Sequence, residues 1–108
     1  MKTIEELKYE FDQALASLEL AAKKYNHFSL KHMKAERLSE KAWTKYEAST
    51  KGTEKSNYLL SKFVRLSDMT RRAYEAQNRA WPEYQRTLFQ SDVAESKYRE
   101  ALRKQAIN

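Results

Sequence analysis

Ala48-Ser49-Thr50-Lys51-Gly52-Thr53-Glu54-Lys55-Ser56 decides the fold of this chain. It holds the only glycine and separates two long runs of heptad-spaced residues. Before it, positions stepping by three and four read Ile4, Leu7, Phe11, Ala14, Leu18, Ala21, Tyr25, Phe28, His32, Ala35, Ser39, Ala42 and Tyr46. After it they read Leu59, Phe63, Leu66, Thr70, Ala73, Gln77, Ala80, Tyr84, Thr87, Ser91, Ala94, Tyr98 and Ala101. Steps of three and four keep residues on one helix face, so each run is one seam. Folding the chain at Gly52–Thr53 sets residues whose numbers sum to 105 opposite each other. Small then meets large: Ala21 faces Tyr84, Tyr25 faces Ala80, Ala42 faces Phe63 and Ser39 faces Leu66. The pattern predicts an all-α fold, a long antiparallel coiled-coil helical hairpin.

Working outward, Thr3 with Glu6 fits a capping box, so helix 1 is expected over about residues 3–49. Gly52 suits a left-handed C-cap, and Thr53 or Ser56 suits the cap of helix 2. With a turn at about 50–53, helix 2 is expected over about 54–105, giving one helical domain over residues 1–108. Pro82 falls inside helix 2 and removes the hydrogen bond to the Asn78 carbonyl. The seam keeps its phase across it (Ala73, Ala80, Thr87), which predicts a continuous helix kinked at Pro82; the alternative is three helices.

One glycine and one proline in 108 residues leave almost no turn chemistry for a many-stranded fold. A two-helix hairpin also has no interior beyond its seam and is a poor isolated monomer. A second apolar stripe follows the seam by one residue: Leu15, Trp43, Leu60, Tyr74, Trp81, Leu88 and Leu102. Leu20, Leu30, Met33, Leu38, Val64, Phe89 and Val93 add further apolar surface. Such width fits a helix touching partners on two sides, and predicts a homodimer forming a helical bundle. Docking of another helical protein is the alternative use of the stripe.

Net charge is +6, and it is unevenly placed. Residues 23–79 carry +8, the preceding residues −3 and the following ones +1. The turn-proximal half is therefore basic, which suits an anionic partner. Lys23, Lys24, Lys31, Lys34, Arg37, Lys41, Lys45, Arg65 and Arg72 are the candidate contacts. Lys34, Arg37, Lys41 and Lys45 step by three and four, a row able to track lipid or phosphate. The plainer alternative is a solvated face with neighbours such as Glu36–Lys41 and Glu40–Lys45.

The residues offer little chemistry. His27 and His32 diverge by about 140° on a helix, unlike an i, i+4 metal pair. His32 occupies a seam position and reads as a packed histidine. There is no cysteine and no glycine-rich loop. No cofactor, metal or catalytic residue is expected, and the chain reads as not an enzyme. The absence of cysteine fits a reducing compartment. No apolar run has signal-peptide or membrane-span length, so the expected location is cytoplasmic or peripheral at a membrane.

The run Tyr74-Glu75-Ala76-Gln77-Asn78-Arg79-Ala80-Trp81-Pro82-Glu83-Tyr84 resembles part of the long core helix of F-BAR domains, where an Asn-Arg-x-x-Pro-x-Tyr-like stretch occurs. Lys41-Ala42-Trp43-Thr44-Lys45-Tyr46-Glu47 is similar to Lys-Tyr-Glu runs in the preceding helix of that family. The similarity covers less than half of the chain. Against the family pattern, these residues hold no counterpart of its N-terminal helical segment. The resemblance implies a crescent-shaped helical dimer that binds anionic membranes through basic residues on one face. Lys23, Lys24, Lys31, Lys34, Arg37, Lys41 and Lys45 would serve that face.

The sequence thus leads to a non-catalytic helical interaction or scaffolding module that self-associates, with a basic half for an anionic membrane surface. A small helical adaptor or chaperone is the first alternative. A nucleic-acid-binding coiled coil is the second.

Overall fold

The computed structural model describes residues 1–107 and consists of two helices, α1 (Ile4–Ala48) and α2 (Glu54–Ile107), in an antiparallel hairpin. Each limit has a local cause. The Glu6 amide donates to Thr3 Oγ1 at 3.1 Å, and the Leu7 amide donates to the Thr3 carbonyl at 3.0 Å. The box is half formed, because the Glu6 carboxylate accepts from the Thr3 hydroxyl at 3.3 Å. Glu5 and Glu6 place negative charge in the first turn, where the helix dipole favours it.

At the far end of α1 three donors converge on one carbonyl. The Ser49 amide, the Ser49 hydroxyl and the Lys51 ammonium all donate to the Tyr46 oxygen. The Lys51 ammonium also lies 3.7 Å from the centre of the Tyr46 ring. Lys51 thus does much of the work expected of a C-cap glycine. Gly52 does adopt the left-handed region, with φ of +84°, but four residues beyond the end of α1. Its place is in the loop just before Thr53. Thr53 is the N-cap of α2: its Oγ1 accepts from the Ser56 amide at 3.1 Å and donates to the Thr50 carbonyl at 2.8 Å. Ser56 is not the cap; it is only 2% exposed and extends the seam by one position.

Two predictions belong to this loop. A Cβ at position 52 meets nothing within 4 Å, so Gly52→Ala acts through the backbone alone. It should destabilise by about 1 kcal/mol in urea unfolding, the cost of a left-handed L-residue. Thr53→Ala should cost about 1 kcal/mol by losing the cap. Restoration of stability by Thr53→Ser in the same titration would assign the loss to the hydroxyl.

The residues pack into two compact units: Asn26–Arg79 form the turn unit, and Met1–Tyr25 with the chain from Ala80 onward form the terminal unit. In the turn unit Ala35, Ala42, Leu59 and Leu66 are buried, and Ser39 Oγ meets Ser67 Oγ at 3.2 Å across the seam. Trp43 packs on Phe63 with ring centres 4.8 Å apart, and His32 on Tyr74 at 5.3 Å. In the terminal unit Ala21, Ala80, Thr87 and Ser91 are buried. Tyr25 sits between Trp81 and Tyr84, at 5.2 and 5.5 Å, and Phe11 lies 6.1 Å from Tyr98.

These ring and hydroxyl contacts join residues whose numbers sum to 106 or 109. Trp43, Ser67, Tyr74 and Trp81 each follow a seam residue by one place, so a sum of 106 is the flank contact of a seam whose register sums to 105, and a sum of 109 is the contact one turn along. A register shifted by a whole heptad would separate Ser39 from Ser67 by more than a turn, so it is not the one formed.

Small residues are the best-buried seam positions. Ala21, Ala35, Ala42 and Ala80 are 4–7% exposed, whereas Phe11, Tyr25, Phe63 and Tyr84 are half-buried. A two-helix seam covers the base of a long side chain and leaves its end on the flank. The small polar members satisfy themselves locally. Thr70, Thr87 and Ser91 hydroxyls donate to the carbonyls of Leu66, Tyr84 and Leu88 at 2.9–3.0 Å. Their burial therefore carries little desolvation penalty.

α2 passes through Pro82 as one helix, so the three-helix alternative is not the structure formed.

Candidate anionic-surface face

The charge of the chain resides in the turn unit. Its twelve Lys/Arg and six Asp/Glu leave +6, while the nine bases and nine acids elsewhere cancel. Within that unit the two helices treat their charges differently.

On α2 the bases are paired. Arg71 contacts Asp68 at 2.7 Å and Glu75 at 3.0 Å, and Arg72 contacts Asp68 at 3.0 Å. The hydrogen bond from Arg71 outweighs desolvation, which acts the other way, and with the charges of Arg72 and Arg71 it holds the Asp68 carboxyl below its ordinary value. The same partners, led by the Asp68 hydrogen bond, push the Arg71 guanidinium up. By linkage, a depressed carboxylate stabilises the fold above its unfolded pKa and loses that contribution as pH falls through the folded value. The network is solvent-exposed and its contribution is small. Arg72 is therefore an engaged base, whereas Arg65 is exposed and has no ion pair among the described residues.

On α1 the bases are left free. Lys34, Arg37, Lys41 and Lys45 are exposed and have no carboxylate at ion-pair distance among the described residues. Glu36 is turned to His32, at 3.8 Å. Glu36–Lys41 and Glu40–Lys45 do not pair, because residues five apart diverge by about 140°. Arg37, Lys41 and Lys45 instead form an i, i+4 ladder of like charge, which costs the helix about 0.2–0.5 kcal/mol per step.

Apolar side chains share this face. Leu30, Met33 and Leu38 are 66, 48 and 41% exposed and line one shallow depression with Lys34, Arg37 and Lys41. Arg37, Lys41 and Lys45 line the next one together with Glu40 and Thr44. The bases of this face lie about 120° around α1 from the seam residues Ala35, Ser39 and Ala42. Sequence reasoning counted Leu30, Met33 and Leu38 only as extra apolar surface. Their spacing from Lys34, Arg37 and Lys41 was the available signal.

The remaining expected contacts lie apart from this row. Lys31 is exposed and unpaired among the described residues but lines neither depression. Lys23 and Lys24 belong to the terminal unit, where Lys24 pairs with Glu83 at 3.7 Å.

All seven stripe residues are exposed, from Leu15 at 36% to Tyr74 at 50%. The aromatic ones are partly used within the hairpin. Trp43 covers Phe63 and Tyr46, Tyr74 covers His32, and Trp81 stacks on Tyr84 with planes 11° apart. They act as lids on the flank of the seam. Leu15, Leu60, Leu88 and Leu102 remain as surface leucines.

Among the described residues no three His, Asp or Glu side chains are grouped to hold a metal, and no helix is long and apolar enough to cross a membrane. No family model, curated protein or solved structure matches the chain.

Proposed function

We propose that this chain is a non-catalytic helical scaffold that self-associates and docks on an anionic membrane surface through the outward face of α1 in the turn unit. The observation that carries the reading is the unpaired row Lys34, Arg37, Lys41 and Lys45, set around exposed Leu30, Met33 and Leu38. Each base near an anionic leaflet contributes about 1 kcal/mol. The apolar members add binding by entering the headgroup boundary, as on interfacial amphipathic helices. A nucleic-acid backbone would use the charges but leave Leu30, Met33 and Leu38 in water, which favours lipid. The resemblance to F-BAR helices points the same way. Self-association is supported by the surface leucines Leu15, Leu60, Leu88 and Leu102 and by the thinness of a two-helix seam.

Co-sedimentation with phosphatidylserine-containing vesicles, against phosphatidylcholine alone, tests the membrane reading. Binding is expected only to the anionic vesicles, weakening as salt rises. No binding at low salt would overturn it. Light scattering tests the second half: a monomer at micromolar concentration would sink self-association.

A further inference from the structure

The loop joining the helices shapes a second basic feature, which shares only Lys45 with the α1 row. A concavity of about 810 Å³ lies at the turn, lined by the end of α1, the loop and the first turns of α2. Lys45, Lys55 and Lys62 enter its wall from three places along the chain, and no carboxylate lines it. None of the three has an ion pair among the described residues, although Lys62 is half-buried. With no counter-charge beside it among the described residues, Lys62 is free to form a charge-assisted hydrogen bond to an anion in the concavity.

The rest of the wall suits a small ring that bears phosphates. Tyr58 and Leu59 supply apolar surface, and Tyr58 is 62% exposed. The hydroxyls of Ser49 and Thr53 are committed to the Tyr46 and Thr50 carbonyls, whereas the Thr50 hydroxyl has no partner among the described residues. Lys51 is held away by its contacts with Tyr46.

We infer that this concavity binds a compact polyphosphorylated group. One phosphate carries about −1.5 to −2 charges, so three ammoniums are matched by more than one phosphate on a single scaffold. Such a group occurs on soluble phosphorylated cyclitols and on the headgroups of phosphoinositide lipids, and the recognition chemistry is shared. The inference does not rest on the α1-face reading, since Lys55 and Lys62 lie on α2.

Calorimetric titration with soluble inositol trisphosphate tests one source. Co-sedimentation with phosphatidylcholine vesicles carrying phosphatidylinositol bisphosphate tests the other. Lys55→Gln with Lys62→Gln removes two of the three ammoniums at exposed or half-exposed positions, and circular dichroism checks that helicity is retained. The control removes equal charge elsewhere, by Arg99→Gln with Lys104→Gln. The pocket variant should bind at least about tenfold more weakly, as expected from losing charge-assisted contacts, while the control binds as the parent does. Binding of the soluble probe with that pattern supports the site with a soluble source. Binding only on vesicles with that pattern supports it with lipid as the source. No binding of either probe would overturn the inference, as would equal weakening in both variants.

Discussion

Replacing Lys34, Arg37 and Lys41 together by glutamine should weaken binding to anionic vesicles by about two orders of magnitude. Each base contributes about 1 kcal/mol near an anionic leaflet, and three add to about 3 kcal/mol. The sum applies because none of the three has an internal partner that could release or recapture its charge. The fold should not suffer. All three side chains are exposed, glutamine is as good a helix former as lysine or arginine, and the like-charge step between Arg37 and Lys41 disappears. Thermal unfolding should therefore show equal or slightly higher stability. Arg71→Gln with Arg72→Gln offers the contrast. Those guanidiniums are spent on Asp68 and Glu75, so their removal should weaken vesicle binding less per charge. Equal losses in the two variants would mean that net charge alone, and not this face, governs binding.

A companion substitution separates charge from insertion. Leu30→Ser with Met33→Ser keeps every base and removes the two most exposed apolar members of the face. If the apolar members enter the headgroup boundary, this variant should also lose affinity, and the loss should persist at high salt, where charge is screened. Unchanged binding would reduce the site to electrostatics.

The seam was the most legible part of this protein. Every position read from Ile4 to Tyr46 and from Leu59 to Ala101 is buried or half-buried, because heptad spacing constrains a helix face whatever the partner. Details that depend on side-chain length were less legible. Sum-rule pairing treats residues as points, yet Tyr25 reaches past Ala80 to Trp81 and Tyr84. For the same reason the sequence pattern does not show that Trp43, Tyr74 and Trp81, although exposed, also pack one side on rings of the seam. Of the two candidate caps Thr53 and Ser56, the structure uses Thr53, and the three-residue spacing of Ser56 from Leu59 marks it as seam. Gly52 was assigned to the wrong helix end. A left-handed glycine ends many helices, but here a lysine folds back on the Tyr46 carbonyl first. For the basic face, spacing alone contained the answer: partners five residues apart do not meet, so Lys41 and Lys45 were never able to pair with Glu36 and Glu40.

Pro82→Ala should stabilise the chain, by about 1–3 kcal/mol. Proline inside a helix costs about 3 kcal/mol relative to alanine, through a missing amide donor and a ring that crowds the carbonyl four residues earlier. α2 runs continuously through Pro82, so it bears that cost without a break. Pro82 itself is exposed and makes no seam contact that alanine would lose. Its neighbours do the packing: Trp81 and Tyr84 hold Tyr25, and Glu83 pairs with Lys24. Alanine restores a donor to the Asn78 carbonyl and keeps Trp81 and Tyr84 in phase with the seam. The gain falls short of the full figure because proline also limits the unfolded chain. Urea unfolding monitored at 222 nm, a standard helix band, measures it, and the slope should be unchanged if the buried surface is the same. A destabilised variant would mean that the local geometry imposed by Pro82 is what seats Trp81 against Tyr25. In that case Trp81→Ala should cost little more when combined with Pro82→Ala than Pro82→Ala does alone, since both would act on the same contact.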